Sequence, residues 1–224
     1  GVAHEIGNPV TGIACLAQNL KAEFKDPDII EASSLILTQT QRITNIVRSL
    51  VGFARTDSHV ASSSYEAVNL KSTIDEAVSL LQLSGSKDYQ FDNFCSAEIT
   101  VRGNAQRLMQ VFVNLLSNAR DASPPNSNII IEAHQNGSFV HIEIEDFGTG
   151  LPEGTIRDNL FEPFVTTKET GKGTGLGLAL VHGIIGEHGG KIQLMDKADY
   201  GQGRGVIVQI SLPAWVNDEE DNAA

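Results

Sequence analysis

Long apolar runs are missing from this chain of 224 residues. No stretch approaches the ~20 consecutive apolar residues that a bilayer-spanning helix needs. No charged, apolar and small-residue pattern of a signal peptide is present either. No membrane contact is therefore expected of these residues, and a cytosolic setting is. Cysteine is scarce: Cys15 and Cys95 are the only two. Two isolated thiols make neither a disulfide framework nor a zinc-ligand pattern, so both are expected as small buried apolar residues. Positive charge is scarce as well, with 16 Lys and Arg against 28 Asp and Glu and a formal net charge of −12. That excludes a general nucleic-acid binder, which needs a basic face to neutralise phosphates. His59, His134, His141, His182 and His188 show no metal-ligand spacing and are expected as structural or surface residues.

What is present supports packed cores: 41% of the residues are apolar, enough for one large domain or two smaller ones. A helical pattern is already running at Val2 with no N-cap before it. The first helix is thus expected to begin upstream, in a parent protein that a preceding region could anchor to a membrane. Ile6, Val10, Ile13, Leu16, Leu20 and Phe24 recur at helical spacing. Lys25-Asp26-Pro27-Asp28 interrupts the pattern. A second helix is predicted from Ile29 to about Arg55, with Ile36, Ile43, Ile46 or Val47, Leu50 and Phe53 on one face. Two amphipathic helices cannot bury their apolar stripes alone, and a homodimer forming a four-helix bundle is the simple solution.

The composition changes over the Ser-rich stretch 57–64. Boundaries are expected as a helical hairpin at 1–56, a linker at 57–64, a mixed α/β domain at 65–214 and an acidic tail at 215–224. In the α/β domain, helices are predicted at Leu70–Leu83, Ala105–Ala122 and Gly175–Glu187. Strands are predicted at Thr100–Arg102, Ile129–His134, Val140–Glu145, Ile192–Met195 and Val206–Leu212, with a hairpin turning at Asn136-Gly137. Hairpins beside helices give a mixed sheet with helices on one face, and the whole chain reads as α+β.

Four strings carry chemistry. His4-Glu5-Ile6-Gly7-Asn8-Pro9 puts His4, Glu5 and Asn8 within one helical turn. A neutral imidazole can attack phosphorus, and Glu5 can take the proton from the other ring nitrogen. Pro9 should kink the helix. Standing alone, His4 would be an ordinary surface histidine. Asn114-Leu115-Leu116-Ser117-Asn118-Ala119 places two amides at i, i+4 on one helix face, where their oxygens can ligate Mg²⁺. Taken alone, they could equally be exposed polar residues. Asp146-Phe147-Gly148-Thr149-Gly150 follows a strand. Its carboxylate can accept from an adenine amino group while the glycines let backbone approach the base. An ordinary strand-end turn is the plainer alternative. Gly171-Lys172-Gly173-Thr174-Gly175-Leu176-Gly177-Leu178 alternates glycine up to a helix start, a backbone cradle for phosphate. It is no Walker A loop, since no Lys-Ser/Thr closes it, and no strand precedes it as a Rossmann fingerprint requires. Phe161-Glu162-Pro163-Phe164-Val165-Thr166-Thr167-Lys168 between them is expected as a lid packed down by its two phenylalanines, with Lys168 or Lys172 near phosphate. Gly201, Gly203 and Gly205 are expected to turn between strands.

Together and in this order, these strings resemble the cytoplasmic core of a sensor histidine kinase of two-component signalling, from Val2 to about Pro213. The resemblance implies a dimeric four-helix bundle followed by an α/β sandwich of the Bergerat type, shared with gyrase, mismatch-repair and heat-shock-chaperone ATPases. It implies that His4 is phosphorylated by ATP, that Glu5 assists, and that Asn8 orients a water removing phosphate from the partner. The partner implied is a response-regulator receiver domain carrying an acceptor aspartate. Asn118 would be the principal Mg²⁺ ligand and Asn114 a second contact. Nucleotide would meet Asp146, Gly148, Gly150, Lys168, Gly171, Gly173, Thr174, Gly175, Leu176 and Gly177. Gly7 and Asn8 look like the nitrogen-regulator subgroup. Asp121-Ala122 departs from the Lys-Tyr common in related kinases, and Arg120 is the cation that could substitute.

Two further classes compete with the kinase reading. The hydrolysing relatives carry a water-activating glutamate where this chain has Asn114, which is no base. An ATP-driven clamp is thus disfavoured, and transfer to a nucleophile such as His4 favoured. A non-catalytic scaffold would show no nucleotide binding, against the intact glycine and asparagine strings. The same fold could also act mainly as a phosphatase through Asn8.

Overall fold

A computed structural model of the protein describes residues 2–56, 65–83, 89–168 and 173–216. The expected linker 57–64, Gly171, Lys172 and positions 217–224 of the acidic tail lie outside the described residues. The chain starts with two long helices, α1 (Val2–Glu23) and α2 (Pro27–Thr56). Asp26 ends the turn between them: its Oδ1 accepts the Asp28 N–H at 2.9 Å, and its carbonyl accepts the Ile30 N–H at 3.0 Å. Asp26 is thus the N-cap and Pro27 the first helical residue, where its missing N–H costs nothing. This is why α2 starts before the predicted Ile29. Helix α1 continues through Pro9, which removes the donor to the carbonyl one turn earlier without ending the helix.

The seam between α1 and α2 is made by small and polar side chains. Val10, Ala17, Ser33 and Thr40 are buried along it. Of the predicted stripes, Leu16 is 65% exposed, Ile13 47% and Ile36 39%, and Leu35 beside them is 58% exposed; the side chains of Ile46, Leu50 and Phe53 lie outside the described ones. Cys15 is exposed, against the expectation of a buried thiol, because its position falls away from the Val10–Ala17 seam. Cys95 is buried, and burial pushes its thiol pKa up to about 11.

The remainder folds as two layers. Its elements are β1 (Glu66–Asn69), α3 (Leu70–Leu83), β2 (Gln90–Asn93), β3 (Thr100–Gly103), α4 (Ala105–Ala122), β4 (Asn128–Asn136) and β5 (Phe139–Glu145). Then come a single turn α5 (Thr155–Asp158), α6 (Gly177–Glu187), β6 (Lys191–Asp196) and β7 (Val206–Pro213). The main sheet has the order β2-β4-β5-β7-β6, parallel only at β2–β4. Strands β1 and β3 form a separate antiparallel pair. The two short strands β1 and β2 were not expected; both are four residues long and rich in polar side chains, so neither carries a clear period-2 signal.

Alternation sorts the sheet into two faces. Ile131 faces Ile144, Ile142 faces Ile210, and Ile192 closes the row, all on the inner face. Helices α3, α4 and α6 cover that face with Ile74, Leu108, Phe112, Leu115, Leu116, Val181 and Ile184. The outer face is polar, with His134 stacked on His141 (centroids 5.3 Å apart) and Gln209 donating to Glu143. Helix α4 is fixed at both ends: the Asn104 side chain accepts the Arg107 N–H at 3.0 Å, and Ser123 caps the other end. Helix α6 is in contact with α2, so the hairpin and the α/β layers meet along it.

Candidate functional site

The first turn of α6 is built by glycine. Gly175 has φ +65, and a Cβ there would lie 2.4 Å from the Phe164 carbonyl carbon. Only glycine tolerates both the conformation and the approach. Because Gly175 is left-handed, the helix starts at Gly177 and not at the predicted Gly175. Leu176 caps it and is buried, and no side chain caps the N-terminus. Gly173 lies against Thr166 and Lys168, and Thr174 Oγ1 accepts the Leu176 N–H at 3.4 Å. The first N–H groups of α6 therefore follow directly on a glycine-rich turn, with the helix dipole behind them.

Helix α4 brings both asparagines to this same point. A Cβ on Gly177 would stand 3.2 Å from Asn114 Oδ1 and 4.0 Å from Asn118 Nδ2. Asn114 is steadied by donating to the Gln110 carbonyl at 2.8 Å. Asn118 Oδ1 accepts from Lys168 Nζ at 3.3 Å. Two amide oxygens fit a hard cation that draws its other ligands from phosphate and water. Among the described residues, no three His, Cys, Asp or Glu side chains come together as a metal cage.

Asp146 is the next of the candidate residues. It is 5% exposed, and its Oδ1 accepts the N–H groups of Gly148 (2.9 Å) and Val206 (3.1 Å). Both bonds use Oδ1, so Oδ2 keeps its accepting capacity. Burial pushes its pKa up, and the two backbone bonds oppose that. A Cβ on Gly148 would meet the Ala122 carbonyl oxygen at 2.6 Å, so the motif is pressed against the end of α4. Gly150 is held beside Asp196, whose Oδ2 accepts the Leu151 N–H at 2.7 Å. Gly205, at φ +122, would put a Cβ 2.1 Å from the Asp146 carbonyl oxygen. Gly201, Gly203 and Gly205 do connect strands, and Gly205 also braces Asp146. The supports Asp196, Gly205 and Val206 come from 50 to 60 positions later in the chain. Nothing local in the sequence marks them.

The segment before the glycines departs from expectation in one residue. Phe161 packs on His182 with centroids 5.0 Å apart. Phe164 does not pack down: its ring is 63% exposed, at φ +70. Its backbone is what docks, donating to the Gly175 carbonyl at 2.9 Å, and that geometry turns the ring outward. Lys168 reaches the site, with Nζ 2.6 Å from Asp121 Oδ2 as well as near Asn118. Arg120 does not take that place. Its guanidinium is bound to Asp121 Oδ1 and to Ser117. Burial pushes the Asp121 carboxyl up, but hydrogen bonds from Lys168 and Arg120 outweigh it and hold the pKa below the ordinary carboxylate value.

His188, expected as structural or surface, is buried at the far end of α6. It accepts the Asn104 N–H at Nε2 (3.1 Å), so Nδ1 carries the proton and donates to the Ile184 carbonyl at 2.7 Å. Tyr65 stacks on it and donates to the Glu187 carbonyl at 2.6 Å. His4 and Glu5 lie in the first turns of α1, where only their backbone is described. Asn8 is exposed one turn on, and Gly171 lies outside the described residues.

Comparison with known proteins bears on both regions. Residues 1–59 match the His Kinase A (phospho-acceptor) domain, and residues 103–215 match the histidine kinase-, DNA gyrase B- and HSP90-like ATPase family. The chain is 35% identical to nitrogen regulation protein NtrY of Azorhizobium caulinodans, over 95% of its own length and 28% of that protein. It is 31% identical to the sensory histidine kinase/phosphatase NtrB of Azospirillum brasilense, over 96% of its length and 54% of that protein. The chain thus spans between about a quarter and a half of these relatives. In fold it is similar to full-length ShkA solved with AMPPNP, with a TM-score of 0.76, 20% identity, and coverage of 96% of this chain and 45% of that one. A phospho-acceptor helical hairpin followed by an ATPase-type α/β sandwich, matched in one chain, makes this protein a member of the sensor histidine kinase family.

Proposed function

We propose that the chain is a histidine kinase core that transfers the γ-phosphoryl group of ATP to a ring nitrogen of His4, and from there to an aspartate of a receiver domain. One observation carries the reading. A helix bearing His4, Glu5 and Asn8 is joined to a domain in which Asn114 and Asn118 meet the glycine-rich start of α6 at Gly177. On this reading the adenine amino group donates to Asp146, and the phosphates lie against the N–H groups of α6. Mg²⁺ held by Asn118 and Asn114 would neutralise phosphate charge. Glu5 takes the proton that leaves the imidazole as it attacks. Asn114 is not a base and so cannot activate water from that position, which favours His4 as acceptor over hydrolysis. Positioning supplies most of the rate, as in other phosphoryl transfers.

The divisions 1–56, 57–64, 65–214 and 215–224 fit this scheme as acceptor hairpin, linker, catalytic domain and tail. A homodimer is supported by the outward-facing Ile13, Leu16 and Leu35. A phosphatase role toward the receiver domain is favoured by exposed Asn8, which could orient a water, and by the kinase/phosphatase named among the relatives.

The test is incubation with γ-labelled Mg·ATP, with and without His4→Gln. Acid-labile, base-stable label lost in the variant is the expected result. Phosphate release without labelled protein would favour an ATPase instead.

A further inference from the structure

Asp121 is a carboxylate placed beside a site built for a polyanion, an arrangement that by itself repels the ligand. Its surroundings give it a use. The Lys168 backbone is fixed by Thr166, whose Oγ1 accepts the Lys168 N–H at 3.2 Å. The Lys168 stem runs along Gly173, where a Cβ would meet Lys168 Cβ at 3.0 Å and Cδ at 3.3 Å. The ammonium then ends between Asp121 Oδ2 at 2.6 Å and Asn118 Oδ1 at 3.3 Å. Both contacts carry the ammonium's charge, but the one to the ionised oxygen is the shorter and adds ion-pair attraction that the neutral amide oxygen lacks. Asp121 is therefore the anchor, and Asn118 is engaged because Lys168 is anchored next to it. Arg120 holds the other Asp121 oxygen, which fixes the carboxylate's direction.

Resting on the nucleotide-site reading above, we propose that Asp121 is a positioning residue that holds Lys168 on the metal-ligating oxygen of Asn118, so that metal-nucleotide loading and transfer of Lys168 from Asp121 to phosphate are one exchange. Two cations at the one Asn118 oxygen repel each other, so loading favours displacement of the ammonium. The displaced ammonium has a better-charged acceptor in the polyphosphate. The exchange sets a threshold on nucleotide affinity, and its height depends on Asp121. Both side chains are about a third exposed (Lys168 33%, Asp121 32%), so the effect is modest.

A double-mutant cycle tests this on the whole chain. Mg·AMPPNP binding is measured by calorimetry for the natural sequence, Asp121→Asn, Lys168→Gln and the double variant, with Asp121→Ala as a second replacement. Asp121→Asn is expected to tighten binding about threefold to fivefold, an effect that shrinks to nearly nothing when Lys168 is already Gln. Half-saturating Mg²⁺ at fixed AMPPNP should fall in step for Asp121→Asn. Equal tightening in both lysine backgrounds would mean simple removal of a repelling charge and would overturn the exchange, as would no change in either Asp121 variant. Absence of AMPPNP binding by the natural sequence would overturn the nucleotide site itself, and the exchange with it.

Discussion

The helical hairpin and the α/β domain solve burial in opposite ways. In the domain, large side chains make an internal core: Phe112, Leu108, Leu116, Ile131 and Ile142 are fully buried between helices and sheet. In the hairpin, the buried seam is small and polar, and Leu16, Ile13 and Leu35 remain on the outside. Helical periodicity is equally clear in both regions, yet only one of them uses it to build an internal core. An amphipathic stripe therefore says that a face will be covered and not by what. In the domain the cover is the sheet. In the hairpin, on the proposed dimeric reading, it comes from a second copy, which would leave the proposed acceptor helix responsive to how two chains pack while the α/β domain rests on a core of its own.

The comparison can be broken most severely from the domain side. Phe112→Ala removes a fully buried ring from α4 and should cost about 3–5 kcal/mol, lowering the urea midpoint of the α/β unfolding transition. A loss below about 1 kcal/mol would mean that this core is looser than its packing indicates. From the hairpin side, Leu16→Asn should leave that transition in place and weaken self-association. Burial of one leucine stabilises by about 1.5–3 kcal/mol, so sedimentation should read a dissociation constant at least about tenfold higher. An unchanged constant would remove Leu16 from the interface.

Smaller effects sharpen the domain side further. Gly205→Ala forces a Cβ onto the Asp146 carbonyl at φ +122 and should cost about 1–3 kcal/mol, with weaker nucleotide binding because Asp146 must move. Normal binding would show that this brace is dispensable. The smallest effect is electrostatic. Burial lowers the His188 pKa below 6.5, so the unfolded state binds the proton more readily. Stability contributed by neutral His188 is complete above about pH 6.5 and is lost as pH falls below it. The slope is at most about 1.4 kcal/mol per pH unit. Urea midpoints from pH 8 to pH 5 should fall on the acid side, and His188→Gln should flatten that part of the curve.

Legibility in the sequence followed the length and regularity of each signal. Helices α3 and α4 could be read to their end residues, because capping by Asn104 and the prolines after Ser123 act locally. Strands β4, β5, β6 and β7 could be read to within two residues, since alternation persists along each. Strands β1 and β2 could not, because four polar-rich residues become a strand only when a neighbour supplies the other half of the ladder. At the site, Asn114, Asn118 and Asp146 stood out because their strings occur together and in a family-like order; taken alone, the asparagines could equally be exposed polar residues and Asp146 part of an ordinary strand-end turn. Phe164 misled, since the turn at Gly175 and not the ring's hydrophobicity decides where it points.

The amino-acid sequence by itself determined the kinds of chemistry available: an imidazole on a helix, paired amides at one helical turn, and glycines where backbone must come close. These depend on side-chain type and on periods of a few residues. Only the tertiary structure decided which distant groups meet. It set Lys168 between Asp121 and Asn118, folded Gly205 over Asp146, and turned Ile13, Leu16 and Leu35 of the hairpin outward. Such contacts join positions tens of residues apart, and the free energy that selects them belongs to the packed whole and to no single segment.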